Sequence, residues 1–240
     1  MLGIALAGAG ALLIGPPTWV LDRLAARFPG CLFRVATREP MVALTIDDSP
    51  DDSTTPAILD ELRRHGGYAT FFLIAGQVRG REALVRRMTA AGHEIGNHFM
   101  EDRPGIRLEE AEFARDLDRA HEILAPFGAV RWARPGSGWY SGAMVEVMRR
   151  KGYECALGSV YPYDATVPWV GFASWHILRN VRPGAIIVLH DRGTRGWRTA
   201  RILRSVLPAL RERGYRVVTL SQLVSATKHR QFQRTVRTKE

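Results

Sequence analysis

Three short segments carry residues whose types and spacing suit hydrolytic chemistry. TIDDSPDD sets two adjacent carboxylates, Asp47 and Asp48, at the end of an apolar run. One of such a pair can hold a cation while the other takes a proton. The same segment also suits helix capping, because Asp48, Ser49 and Asp52 precede an amphipathic stretch and side chains of this kind satisfy free helix amides. GHEIGNHFMED contributes two histidines and three acids. His93 and His98 are five residues apart, so on a continuous strand they point to opposite faces. His98 and Asp102 are four apart, which brings them to one side if the chain turns helical after the strand. Asp48, His98 and Asp102 then make a three-ligand metal set with positions open to water and substrate. VLHDRG ends an apolar run on His190, an imidazole able to donate a proton near neutral pH, or else a structural strand-end residue.

The elements that must position these groups alternate in type. MVALTI reads as a strand, Thr54 to His65 as a helix ended by Gly66-Gly67, and YATFFLI as the next strand, which together make a βαβ crossover. A helix over Arg79–Ala91 leads to the strand HEIGNH, and a long charged helix over Arg107–Phe127 leads to the strand RWARPG. A helix over Ser141–Gly152, strands at Tyr153–Leu157 and Ala185–Leu189, a helix over Ala200–Gly214 and a strand at Tyr215–Leu220 complete the pattern. It predicts an α/β fold around a parallel sheet or barrel. In such folds ligands gather at the carboxyl ends of the strands, where Asp47, Asp48, His98, Arg134 and His190 all fall.

With 240 residues, 46% of them hydrophobic, one sizeable core suffices. The formal charge of +10 is spread along the chain, and the sequence shows no helix-turn-helix, zinc or aromatic single-strand signature, so nucleic acid is not an expected partner. Cys31 and Cys155 have neither the number of a disulfide framework nor the spacing of a zinc knuckle. Residues 1–30 open on an apolar run, Leu2 to Gly15, which lacks the leading basic residue of a secretory signal and falls short of the roughly 20 residues a membrane span needs. An interfacial anchor and a buried helix are the readings left open. The catalytic domain is placed at 38–225, with a basic tail over 226–240 that is either solvated or drawn to anionic surfaces.

From Met41 to Val224 the sequence resembles the polysaccharide deacetylases, also called the NodB-homology domain or carbohydrate esterase family 4. ALTIDDSPDDSTTPAILDELRRHGGYATFFLIAGQV resembles the first motif and the segment after it, with Ser49 where glycine is usual. GHEIGNH resembles the second motif, RPGSGW the third, VYPYD more weakly the fourth and GAIIVLHD the fifth. The resemblance implies a distorted (β/α) barrel that hydrolyses N-acetyl groups on chitin-like or peptidoglycan-like glycans, with some relatives acting on esters. By position, Asp47 resembles the general base, His190 the general acid, Arg134 the residue orienting the base, and Asp164 the acid holding that histidine. Asp48 and His98 resemble metal ligands. Asp102 stands where the family has a second metal histidine, and a carboxylate there shifts the expected divalent ion from zinc toward manganese or magnesium, with cobalt also in the range. Ala165 replaces a tryptophan, leaving Trp169 to fill the same pocket.

Ser137, through a nearby backbone amide, Trp139 and Tyr163 are the expected substrate contacts. The expected partner is an N-acetylated glycan, bound by a monomer that is secreted or membrane-associated rather than cytoplasmic. Two other readings stand beside deacetylation. One is an esterase or amidase acting on another substrate, and the other is a noncatalytic glycan-binding or membrane-associated domain that has lost its metal.

Overall fold

A computed structural model describes residues 18–27, 30–136 and 140–227. Its elements run α1 (Thr18–Arg27), β1 (Cys31–Leu32), β2 (Met41–Ser49), α2 (Thr54–His65), β3 (Ala69–Leu73), α3 (Glu82–Ala90), β4 (Glu94–Asn97), α4 (Glu110–Leu124), β5 (Trp132–Ala133) and α5 (Gly142–Arg150). They continue through β6 (Glu154–Ala156), α6 (Val170–Asn180), β7 (Ile186–His190), α7 (Gly193–Glu212) and β8 (Arg216–Val218) to a last helix, α8, over 220–227. The expected α/β barrel is present in distorted form. The strands follow the order β1-β6-β5-β4-β3-β2-β7, all pairs parallel, with β8 joining the start of β2. The far side of β7 is met by isolated bridges, Val160 to Ile187 and, just before the strand, Arg34 to Ala185, rather than by a full strand, so the barrel closes through an irregular seam.

Alternation along β2 divides its side chains between two cores. Val42, Leu44 and Ile46 lie beneath Ile58 and Leu62 of α2 and Leu203 and Leu207 of α7. Met41 and Ala43 face the barrel interior with Phe72, Trp132, Ile186 and Val218. Asp47 continues the inward-facing series at the carboxyl end. All nine residues of β2 are buried, which suits a strand flanked on both edges and covered on both faces.

The helix after β2 begins differently from expectation. Capping falls to Asp51, whose Oδ1 accepts from the backbone amides of Ser53 and Thr54 at 2.8 and 3.0 Å. Asp52 instead pairs with Arg81 on the surface, and Asp48 turns into the site. The helix predicted over Ala200–Gly214 starts earlier, at Gly193, and α6 was not expected at all. Cys31 and Cys155 are register partners on β1 and β6, both thiols free and buried.

No helix among the described residues is long and apolar enough to cross a membrane. The Leu2–Gly15 run, the tail over 228–240, Ser137 and Trp139 lie outside the described residues.

Candidate active site

Two neighbouring strands carry the central pair. Asp47 of β2 and His190 of β7 are register partners at the carboxyl ends of a parallel pair, one strand spacing apart, about 4.8 Å. Each is held by a group of opposite charge. Arg134, just beyond β5, reaches Asp47 Oδ1 through Nη1 at 2.6 Å, and its guanidinium lies 4.1 Å from the Phe72 ring centre. The same nitrogen donates to Thr45 Oγ1 at 2.9 Å, while Nε donates to the Ala156 carbonyl at 2.7 Å. Burial alone would raise the Asp47 carboxyl, but the charges of Arg134, His98 and His190 outweigh it and hold Asp47 below its ordinary value. Asp47 is therefore a carboxylate across the neutral range.

On the other side, Asp164 is 1% exposed and lies 3.1 Å from His190 Nδ1 through both of its oxygens. Its Oδ2 also accepts from the His190 backbone amide at 2.8 Å. A carboxylate can only accept, so the Nδ1 position carries hydrogen and Nε2 faces the cleft. Burial would lower the imidazole, yet the hydrogen bond and charge of Asp164, with Asp47 and Asp48, raise it to about 9. His190 thus enters neutral pH as an imidazolium, a proton donor.

Asp48 reaches the same cleft by a backbone irregularity. Neighbours on a regular strand face opposite ways, but the β2–β3 register slips between Asp47 and Ser49, and Asp48 takes a φ of 67°. This left-handed bulge re-aims the side chain, which is 2% exposed. Asp48 Oδ1 lies 3.6 Å from His98 Nε2. His98 Nδ1 donates to the Arg134 carbonyl at 2.6 Å, which sets the ring so that Nε2 points toward Asp48.

Two of the three expected ligands therefore face each other, as a metal pair would. Asp102 does not join them. Arg195, from the first turn of α7, stands between, with Nη1 3.0 Å from Asp48 Oδ2 and Nη2 3.7 Å from Asp102 Oδ2. Among the described residues no three His, Cys, Asp or Glu side chains converge to hold an ion. The donors as placed do not fit a three-ligand divalent site, because a guanidinium fills the side that the third ligand would close.

A further carboxylate, Asp191, fastens this end of the barrel. It is fully buried and accepts from Ser49 at 2.8 Å, from the Arg192 amide at 2.7 Å, and from the hydroxyls of Thr54 and Thr55. Packing there is tight, since a Cβ added to Gly196 would lie 2.4 Å from Thr54 Oγ1 and 2.5 Å from Asp191 Oδ1.

The remaining expected residues are spread out. His93 is structural, stacked edge-on against Phe71 at 5.4 Å, with burial lowering its imidazole to about 4. Tyr163 precedes Asp164 and begins a run of ring contacts through Phe172, at 6.5 Å, to Trp175, 6.0 Å further on. Trp169 is 72% exposed at the start of α6 and fills no pocket, contrary to its expected role. Arg195 and the fastening role of Asp191 were missed in the sequence.

The sequence pattern described as polysaccharide deacetylase matches residues 34–156. A peptidoglycan-N-acetylglucosamine deacetylase of Bacillus cereus is 32% identical over 200 residues, covering 80% of this chain and 92% of that protein. The chain belongs to the polysaccharide deacetylase family. A chitooligosaccharide deacetylase of Sinorhizobium fredii is 34% identical over 203 residues, covering 79% of this chain and 94% of the relative. The solved structure of a peptidoglycan N-acetylglucosamine deacetylase, in complex with a naphthalenyl N-oxidanyl-benzamide, superposes with a TM-score of 0.77 at 28% identity, over 87% of this chain and 96% of that one. This polysaccharide deacetylase is accordingly a hydrolase of carbon–nitrogen bonds other than peptide bonds. Its family is generally metal-dependent, which sets the position of Arg195 apart.

Proposed function

We propose that this deacetylase removes N-acetyl groups from an N-acetylated glycan, chitin-like or peptidoglycan-like, with Asp47 as base and His190 as acid. The register pairing of Asp47 with His190 carries the reading. It sets a carboxylate held ionised beside an imidazole held protonated, the two protonation states that amide hydrolysis needs at its start. Water between them loses its proton to Asp47 as it attacks the acetamide carbonyl. The tetrahedral intermediate collapses when His190 protonates the nitrogen, without which an amine is a poor leaving group. Arg134 keeps Asp47 in place, and Asp164 keeps the Nε2 proton of His190 directed at the cleft. Buried Arg134 Nη2 has no hydrogen-bond partner among the described residues, which leaves a donor for the bound acetamide or water.

The ring series from Tyr163 to Trp175 supports a sugar-stacking wall beside the acid, since Trp175 is 46% exposed. The Leu2–Gly15 run and a polymeric substrate support a secreted or membrane-associated placement. Acetate release from N-acetylated chitooligosaccharides and from peptidoglycan fragments tests the proposal, with Asp47→Asn and His190→Ala as controls whose fold is checked by circular dichroism. Release by the parent and its loss in both variants is the expected result. Sugar binding without release by the parent would favour a noncatalytic glycan-binding domain.

A further inference from the structure

Asp48 carries a charge that burial disfavours, and the group answering it is not the expected one. A buried carboxylate requires a cation or a full set of donors. His98 does not supply either fully, because its Nδ1 proton is committed to the Arg134 carbonyl and its Nε2 lies 3.6 Å from Asp48 Oδ1. Arg195 is the nearer cation, at 3.0 Å from Oδ2.

We propose that Arg195 is the resident cation of this site, its guanidinium bridging Asp48 and Asp102 in the place of a tightly held divalent ion, so that a metal enters only by displacing it. The inference rests on reading this cleft as a deacetylase site. A guanidinium is a planar fork with fixed spacing, and here its two terminal nitrogens address two separate carboxylates, where a lysine ammonium would have to meet both through a single nitrogen. An ion bound to Asp48 would sit about 2.0–2.2 Å from a carboxylate oxygen. The guanidinium at 3.0 Å from the same carboxylate would then face a like charge at close range, so the two occupancies exclude one another.

The backbone under Arg195 is fixed while its side chain is free to leave. Gly196 is wedged against Thr54 and Asp191 with no room for a Cβ, which anchors the start of α7 between the first turn of α2 and the end of β7. The Arg195 side chain is 29% exposed, so it can withdraw toward solvent without opening the core. The ion pair is also imperfect, because Asp48 Oδ2 receives no aligned hydrogen bond among the described residues. A guanidinium held this way neutralises Asp48 yet remains displaceable.

The test is isothermal titration of the full chain with Mn²⁺ and with Zn²⁺, parent against Arg195→Met and Arg195→Lys. Elemental analysis of the purified parent accompanies it. The parent is expected to purify without a stoichiometric ion, and Arg195→Met to bind at least about tenfold tighter than the parent. Arg195→Lys keeps the charge but loses the fork, and its affinity falls between the two. A stoichiometric ion in the purified parent, or equal affinities in parent and Arg195→Met, would overturn the proposal. Should Arg195→Met not fold, the parent's metal content and Arg195→Lys still decide it. Acetate release measured on the same preparations separates this proposal from the functional one. Tighter metal binding in Arg195→Met with no release from any preparation leaves the resident cation standing and removes deacetylation, whereas release from a parent carrying a stoichiometric ion does the reverse.

Discussion

The Asp47 flank and the Asp48 flank of one cleft start from adjacent residues of the same strand, yet their charges are closed in different ways. Asp47 meets a buried arginine through a hydrogen-bonded ion pair of 2.6 Å, with Thr45 and Ala156 holding that arginine. Asp48 meets a partly exposed arginine by an unaligned contact, and its companion Asp102 is 37% exposed. The first flank is built to hold one protonation state. The second can exchange what sits on it. Hydrolytic sites need both properties, and here a single left-handed residue, Asp48, divides them.

The sharpest way to break this contrast is to neutralise one carboxylate on each flank. Asp47→Asn is expected to lower kcat by about 10³-fold, within the range that general-base removal produces. Asp102→Asn is expected to change it far less, so equal losses in acetate-release kinetics would erase the distinction. Next in size is stability. Arg134→Met strands the Asp47 charge in the interior and is expected to cost about 3 kcal/mol in urea unfolding, whereas Arg195→Met also uncovers a buried carboxylate, Asp48, but removes an arginine that is 29% exposed and makes no aligned hydrogen bond to it, so a smaller loss is expected.

A smaller effect concerns pH. As the proposed acid, His190 would act while protonated, so kcat/KM is expected to hold up to about pH 9 and fall as the imidazole loses its proton above that. Asp164→Asn removes the largest influence raising it, and the alkaline limb of the profile should move down toward the ordinary histidine value of 6.5. An unmoved limb would dismiss His190 as the acid. The smallest effect is expected for Asp102→Asn on stability, within about 0.5 kcal/mol by urea titration, as for an ordinary surface change.

How much of this was legible in the sequence follows from where each residue sits. Asp47, His98, Arg134 and His190 end or follow apolar runs, and strand ends converge in a parallel barrel, so residue type and position sufficed to gather them. The bulge was not legible. Two adjacent acids on a regular strand face opposite ways, and nothing in TIDDSPDD indicates a φ of 67° at the second. Arg195 was missed because GTRGWR has two glycines and no apolar period, so the expected helix began at Ala200. Its helical start is set by tertiary packing of Gly196 on Thr54 and Asp191. Charge gave no help either, since Arg195 is one of 34 basic residues spread along the chain. The helix over Val170–Asn180 was missed for a related reason. FASWHIL mixes apolar and aromatic residues on several faces, and only packing of Ala173 and Ile177 into the core selects one.

The strand order has a consequence for synthesis. β2 finds β3 soon after it emerges, but on its other edge it meets β7, whose His190 pairs with Asp47, and its Ser49 is gathered by the carboxylate of Asp191 from 142 residues further along. A ribosome therefore delivers Asp47 long before His190. A nascent chain halted before β7 carries Asp47 with no proton donor beside it and one edge of β2 unpaired, the kind of exposed edge that invites association. Such a chain would lack the proposed acid and leave that edge open, and the last quarter of the chain supplies both the histidine and the covering strand.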